Sequence, residues 1–191
     1  MKLTQKESGA YQKHFLMDTE AIKQYVVERL GAFPSGTPIE VSEIGDGNIN
    51  YVFRVVNQAT QESLIIKQAD ILLRSSGRPL DIERNRIEAE ILRLQNELAP
   101  QFVPEVYYYD QKMYALTMED VSAYQNMRYE LIDKQIFPDF SEKIAEFLAR
   151  TLLLTSDLVL DRDVKKQRVK DFINPEMCDI SEDLVFTEPY D

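Results

Sequence analysis

The sequence predicts an α+β fold: an antiparallel five-stranded β region with one main helix, followed by a helical region. Three observations carry this expectation. Between Pro38 and Met118, five short segments alternate apolar residues and are separated by turn residues, in the order β-β-β-α-β-β. After Glu119 the apolar spacing changes to three or four residues, the period of a helix. The 191 residues are 44% hydrophobic and 29% charged, close to the globular average, and give room for one domain or one domain plus part of another.

The elements follow in order. Asp18 is a candidate N-cap, and Ile22, Tyr25, Val26 and Leu30 recur at helical spacing up to Gly31. Residues 34–38, Pro-Ser-Gly-Thr-Pro, form a turn segment. Ile39, Val41 and Ile44 predict a first strand. Tyr51, Phe53 and Val55 alternate with Val52, Arg54 and Val56 in a second, and residues 63–67 form a third. Short connections make these an antiparallel meander. A helix is predicted over 81–98, where Ile87, Ile91, Leu94 and Leu98 fall within about 60° on a wheel of 100° per residue. Pro100 stops it. Two strands follow at 103–109 and 113–118, with alternate rings of Tyr107, Tyr108 and Tyr109 buried. Asp139, with Glu142 at the third helical position, resembles a capping box. Ile144, Phe147, Leu148, Thr151, Leu152 and Thr155 form an apolar stripe expected in a core. A charged helix spans 161–172, and its Lys165, Lys166, Arg168 and Lys170 read as a solvated face.

The scarce residues exclude several chemistries. His14 is the one histidine and Cys178 the one cysteine. No internal disulfide can form, and a structural zinc site lacks ligands. Cys178 reads as a packed thiol. With 22 basic and 33 acidic residues, the net charge of −11 argues against a nucleic acid or an anionic membrane as partner. No apolar run is long enough to span a bilayer, and residues 1–14 lack the apolar core of a signal peptide, so the expected location is the cytoplasm.

Chemistry gathers around residues 45–50. Gly45-Asp46-Gly47 lies between two strands, where glycines let main-chain N–H groups approach phosphate oxygens. Asn50 stands at the third glycine position of G-x-G-x-x-G. It tolerates left-handed backbone, and its amide can donate to a phosphate. The same residues also make an ordinary hairpin turn. Val52 matches the aliphatic position of G-x-G-x-x-G-x-V, and Lys67 ends an apolar third strand as the lysine of V-A-I-K does. That lysine pairs nucleotide phosphates with a helix glutamate. Glu88 and Glu90 both flank the helix stripe, and Leu92 widens it on the Glu88 side. Glu119, Asp120 and Val121 stand where strands give way to helices, as a kinase hinge does.

These strings resemble one family. Residues 43–53 (E-I-G-D-G-N-I-N-Y-V-F), 64–69 (L-I-I-K-Q-A), 86–90 (R-I-E-A-E) and 118–120 (M-E-D) are similar to 5-methylthioribose kinases. So are residues 164–167, 174–180 and 184–187. The resemblance implies a protein-kinase-like fold, shared with aminoglycoside and choline kinases. It implies ATP and Mg2+ as cofactors, phosphorylation of the 1-hydroxyl of 5-methylthioribose in methionine salvage, and a homodimer. By this resemblance Gly45, Asp46, Gly47, Asn48, Asn50, Val52, Lys67 and Glu88 bind ATP, and Glu119, Asp120 and Val121 form the adenine-binding hinge. The implied layout is residues 1–118 as an N-terminal helix and ATP-binding β lobe, 119–121 as the hinge, and 122–191 as the beginning of a helical C-lobe.

Two departures stand out. Gly77-Arg78-Pro79-Leu80 replaces a longer G-E-S-W-P-L. The H-G-D-L-H catalytic loop and the magnesium-holding D-P-E do not occur, and His14 does not stand in for them. The expectation is therefore a truncated portion that grips ATP, with no catalytic or metal residues in this chain. Two alternatives are a non-catalytic kinase-like module and a kinase for another small alcohol.

Overall fold

The computed structural model describes residues 3–4, 9–45, 49–74 and 77–190. Helix α1 (Thr19–Gln24) starts where the sequence places it, because the Asp18 carboxylate accepts from the Ala21 N–H at 2.8 Å. It widens into a π-helical turn at Tyr25–Arg29. Gly31 then reverses the chain at φ +57°, and a Cβ there would meet Thr4 Oγ1 at 2.3 Å. Only glycine fits that turn without displacing Thr4.

The five strands are β1 (Ile39–Glu43), β2 (Tyr51–Asn57), β3 (Ser63–Gln68), β4 (Val106–Asp110) and β5 (Ala115–Glu119). All neighbours are antiparallel, and the order across the sheet is β1-β2-β3-β5-β4. The predicted meander is β1 to β3, and β5 slots between β3 and β4. Between β3 and β4 runs helix α2 (Arg84–Leu98).

Element ends depart from expectation for local reasons. Helix α2 begins at Arg84 and not at 81, because the Asp81 carboxylate takes the Glu83 N–H in a turn. Strand β5 begins after Tyr114, whose φ is +47°, while Asp110 Oδ1 holds the Lys112 and Met113 N–H groups of the preceding turn. A bulge between Val106 and Tyr108 offsets β4 by a residue. Tyr107 and Tyr108 therefore both pack partly buried on one core, while Tyr109 is buried in the other. The expected alternation of the three rings is lost there.

Strand alternation gives the sheet two apolar faces. Phe53, Val55, Leu64 and Ile66 point to the face covered by Ile22, Tyr25, Val26 and Leu30. Burying each such side chain stabilises the fold by about 1.5–3 kcal/mol. The opposite face meets α2, where Ala89 packs with Tyr109 and Leu116. The sheet is thus a layer between α1 and α2, and the candidate site lies on the α2 side.

The rest of the chain is helical: α3 (Met127–Ile132), α4 (Phe140–Leu148) with a π-helical turn at Ala149–Leu153, α5 (Arg162–Phe172) and α6 (Pro175–Glu182). Among the described residues after Glu119, only Thr151 is buried. Half of the stripe expected to be core is on the surface: Ile144, Leu148 and Leu152 are exposed. Phe147 does find a partner, with its ring 5.7 Å from that of Phe102. Asp139 starts α4 without capping it by its side chain. Its backbone, at φ −91° and ψ 0°, is not the extended form that aims a capping oxygen at the helix. Cys178 is exposed, not packed, on a helix α6 that buries none of its residues. No helix among the described residues is long and apolar enough to cross a membrane.

Candidate functional site: a charged cavity between the sheet and α2

Lys67 and Val52 are cross-strand partners, and Lys67 is also opposite Leu116 on β5. Residues paired in this way project to the same face, here the one under α2. Lys67 Nζ meets Glu88 Oε1 at 2.7 Å. Glu90 instead pairs with Arg86 at 3.0 Å, so the helix assigns the two acids different partners. Lys67 and Glu88 are each about one-quarter to one-third exposed, at 25% and 32%. A pair this open contributes little stability, on the order of 0–1 kcal/mol. It places a cation at a cavity edge.

That cavity holds about 370 Å³ and is lined by Asn50, Lys67, Arg84 and Glu88 among others. Asn174 and Met177 from α6 also line it. Asn174 caps α6 by accepting from the Met177 N–H at 3.0 Å. The lining carries two cations and one carboxylate, in a chain of net charge −11.

Asn50 is buried, and its amide is engaged by α2. Its Oδ1 accepts from Arg84 Nε at 2.8 Å, and its Nδ2 donates to Asn85 Oδ1 at 2.7 Å. An amide nitrogen carries two N–H groups, so a second donor exists. At Gly45, a Cβ would meet nothing within 4 Å among the described residues. Asp46, Gly47 and Asn48 lie outside the described residues. The parts described suit a polyanionic nucleotide: a cation held by a carboxylate, and a second cation in the same lining.

Glu119, Asp120 and Val121 stand apart from this cavity. The Asp120 carboxylate accepts from Arg54 Nε at 2.6 Å and from the Ser122 N–H at 2.9 Å. Burial works against its charge, but hydrogen bonds from Ser63, Ser122 and Arg54 outweigh burial and hold the carboxyl down at about 2. Glu119 exchanges hydrogen bonds with the Glu105 main chain, and the Val121 carbonyl accepts from the Tyr124 N–H. Glu119 and Val121 line a separate cavity of about 640 Å³ with Phe102 and Tyr124. His14 is also elsewhere, with Nε2 3.3 Å from Asp70 and its ring edge-on to Tyr114.

Sequence reading missed Arg84 and Asn85. Both are nearly solvent-free, at 5% and 0% exposure. Periodicity gave no sign, since polar residues in a first helical turn ordinarily face water. The available signal was their place, directly after the loop that follows Lys67 and one turn before Glu88.

No protein-family model matches the chain. Curated relatives do match. The methylthioribose kinase of Geobacillus sp. (strain WCH70) is 46% identical over 164 residues, 85% of this chain and 41% of that protein. Those of Bacillus velezensis and Yersinia pseudotuberculosis are 45% and 40% identical, over 90% and 80% of the chain. The chain therefore spans about two fifths of the length of these relatives. Among solved structures, the Plasmodium vivax ethanolamine kinase is similar over 85% of this chain, with a TM-score of 0.50 at 16% identity, a likeness of fold. The sheet with α2 across one face is thus a kinase-like arrangement, and over the span that it covers the chain is similar to methylthioribose kinases.

Proposed function

We propose that this chain grips ATP as the nucleotide-binding portion of a kinase that phosphorylates the 1-hydroxyl of 5-methylthioribose. The observation that carries the reading is the 2.7 Å pair of Lys67 and Glu88 at the cavity edge, in a chain similar to methylthioribose kinases. Phosphoryl transfer depends mainly on positioning and charge neutralisation. Lys67 is suited to neutralise phosphate oxygens, with Glu88 keeping it from swinging to solvent. Gly45, Asp46, Gly47 and Asn48 cover the phosphates in this proposal, with Asn50 anchoring the loop and Val52 below the base. Adenine lies against the main chain of Glu119, Asp120 and Val121. Residues 1–118 then act as the ATP-binding lobe, 119–121 as the hinge and 122–191 as part of the helical lobe. A cytoplasmic homodimer belongs to the same proposal.

Among the described residues, no group of three His, Cys, Asp or Glu is placed to hold a metal ion. These residues do not fit a magnesium site, and no step here runs through one. H-G-D-L-H is likewise not among the 191 residues. The proposal is accordingly ATP binding without turnover by these residues alone.

Two measurements test it. ATP titration should show binding that Lys67→Ala abolishes or weakens by roughly tenfold or more, as loss of a charge-assisted contact does. An ATP-consumption assay with methylthioribose should show no turnover. Robust turnover refutes the grip-only claim, and unchanged ATP affinity in Lys67→Ala removes the lysine role. A second reading is a non-catalytic nucleotide-binding module that uses the same Lys67–Glu88 pair. Co-expression with a polypeptide that carries H-G-D-L-H, in a host lacking methylthioribose kinase, decides between them. Restored phosphorylation removes the module reading; ATP binding without restoration favours it.

A further inference from the structure

We propose that Arg84 and Asn85 are positioning residues of this cavity: they clasp Asn50 to the first turn of α2 and tie that clasp to the main chain of Lys67. The proposal rests on the ATP-binding reading and deepens it.

The clasp is a continuous chain of hydrogen bonds. Arg84 Nε donates to Asn50 Oδ1 at 2.8 Å. Asn50 Nδ2 donates to Asn85 Oδ1 at 2.7 Å. Asn85 Nδ2 in turn donates to the carbonyls of Lys67, at 2.9 Å, and Tyr114, at 3.0 Å. One asparagine thus touches the end of the glycine turn, the strand bearing Lys67 and the entry to β5. Arg84 extends the chain the other way. Its Nη2 donates to the Asp70 carbonyl at 2.7 Å, and its Nη1 to the Leu80 and Asp81 carbonyls, each at 3.0 Å. Both ends of the loop after Lys67 are therefore held by one guanidinium.

Burial makes the arrangement single-valued. Asn50, Arg84 and Asn85 are 4%, 5% and 0% exposed. A buried amide left unpaired is costly, so each amide has one orientation that satisfies its neighbours. Flipping Asn50 would turn its NH2 toward the guanidinium and its oxygen toward the Asn85 oxygen. Among the described residues no carboxylate forms a close ion pair with Arg84; its hydrogen bonds go to carbonyl oxygens, and the charges of Asp70 and Asp81 offset its burial only in part. Burying a charge in this way is expensive. Such a cost is tolerated where preorganisation is needed, because a small misplacement of a binding group loses much of its effect. The device fixes Asn50, Lys67 and α2 relative to one another, and Glu88 stands one turn beyond Arg84 on the same helix.

Asn85 gives the cleanest test, because it is not among the residues lining the cavity. Asn85→Ala should weaken ATP and ADP binding to the purified chain by roughly 10- to 100-fold, while adenosine affinity changes by less than about twofold. Arg84→Met should show the same split. The Asn85→Ala, Arg84→Met double variant should be no worse than the more severe single, as expected for one linked device. Unchanged ATP affinity in Asn85→Ala overturns the clasp, and so does an equal loss for ATP and adenosine, which marks general loosening. If these variants do not fold, amide hydrogen exchange on the wild-type chain decides. ATP should slow exchange at Asn50, Lys67 and the first turn of α2 together, and slowing at only one of them overturns the clasp. A wild-type chain with no affinity for ATP overturns the nucleotide reading itself, and this proposal with it.

Discussion

The Arg54 guanidinium donates to the Asp120 carboxylate at 2.6 Å, fastening β2 to the residue that follows β5. The Asp120 side chain is only 3% exposed, and its carboxyl is held at about 2, below its ordinary 3.8. A depressed folded pKa contributes stability that is fully present above the unfolded value and lost as pH falls through the folded one. Thermal melts of wild type and Asp120→Asn should therefore differ most at neutral pH. The gap should shrink as pH falls from about 4 to about 2. Near neutrality the variant should lose about 1–3 kcal/mol, the cost of weakening a buried charged hydrogen bond. A gap that stays constant from pH 7 to pH 2.5 would contradict the assignment.

Glu88→Gln should separate stability from binding. The Lys67–Glu88 pair is partly exposed, so urea melts should shift by no more than about 1 kcal/mol. ATP titration of the same variant should show clearly weaker binding. A large stability loss with unchanged ATP affinity would make the pair a structural one.

Gly31→Ala should destabilise the chain by about 1–2 kcal/mol or more in denaturant melts. The left-handed backbone at φ +57° disfavours a side chain, and a Cβ would sit 2.3 Å from Thr4 Oγ1. Gly45→Ala should cost far less, because nothing among the described residues lies within 4 Å of its would-be Cβ and its φ is not in the left-handed region.

The apolar surface after Glu119 should be visible to a dye. Ile136, Leu158 and Phe186 are 86%, 85% and 72% exposed. The isolated chain should bind an anilinonaphthalene probe, and Leu158→Lys with Phe186→Lys should reduce that binding. Stability should move by less than about 0.5 kcal/mol per change. Leu64→Ala, at 0% exposure, should instead cost about 2–5 kcal/mol. Loss of folding in the lysine variants would show that these residues hold a core.

Much of the first half was legible because its cues are local. Asp18 caps a helix, Gly31 ends it, and residues 51–57 alternate, each from short-range backbone preferences. The choice of Glu88 over Glu90 also followed from the helix wheel, since Leu92 marks the sheet-facing side. Arg84 and Asn85 were hidden because their burial comes from partners distant in sequence, Asn50, Lys67 and Asp70. The capping role read into Asp139 failed because residue identity does not specify ψ. The stripe around Ile144 had the right period for a core, but a period says which residues share a face and not what covers it.

The strand order β1-β2-β3-β5-β4 has a kinetic consequence. The β1–β3 meander closes only short loops, whereas β3 pairs with β5 only after α2 and β4 have been traversed. Closing that longer loop costs more chain entropy before any contact compensates it. The meander should therefore gain amide protection first in pulse-labelled exchange, with Leu116 and Thr117 following. Since Lys67 faces Leu116 across that late seam, the chain should acquire its shape before it acquires its cation cradle.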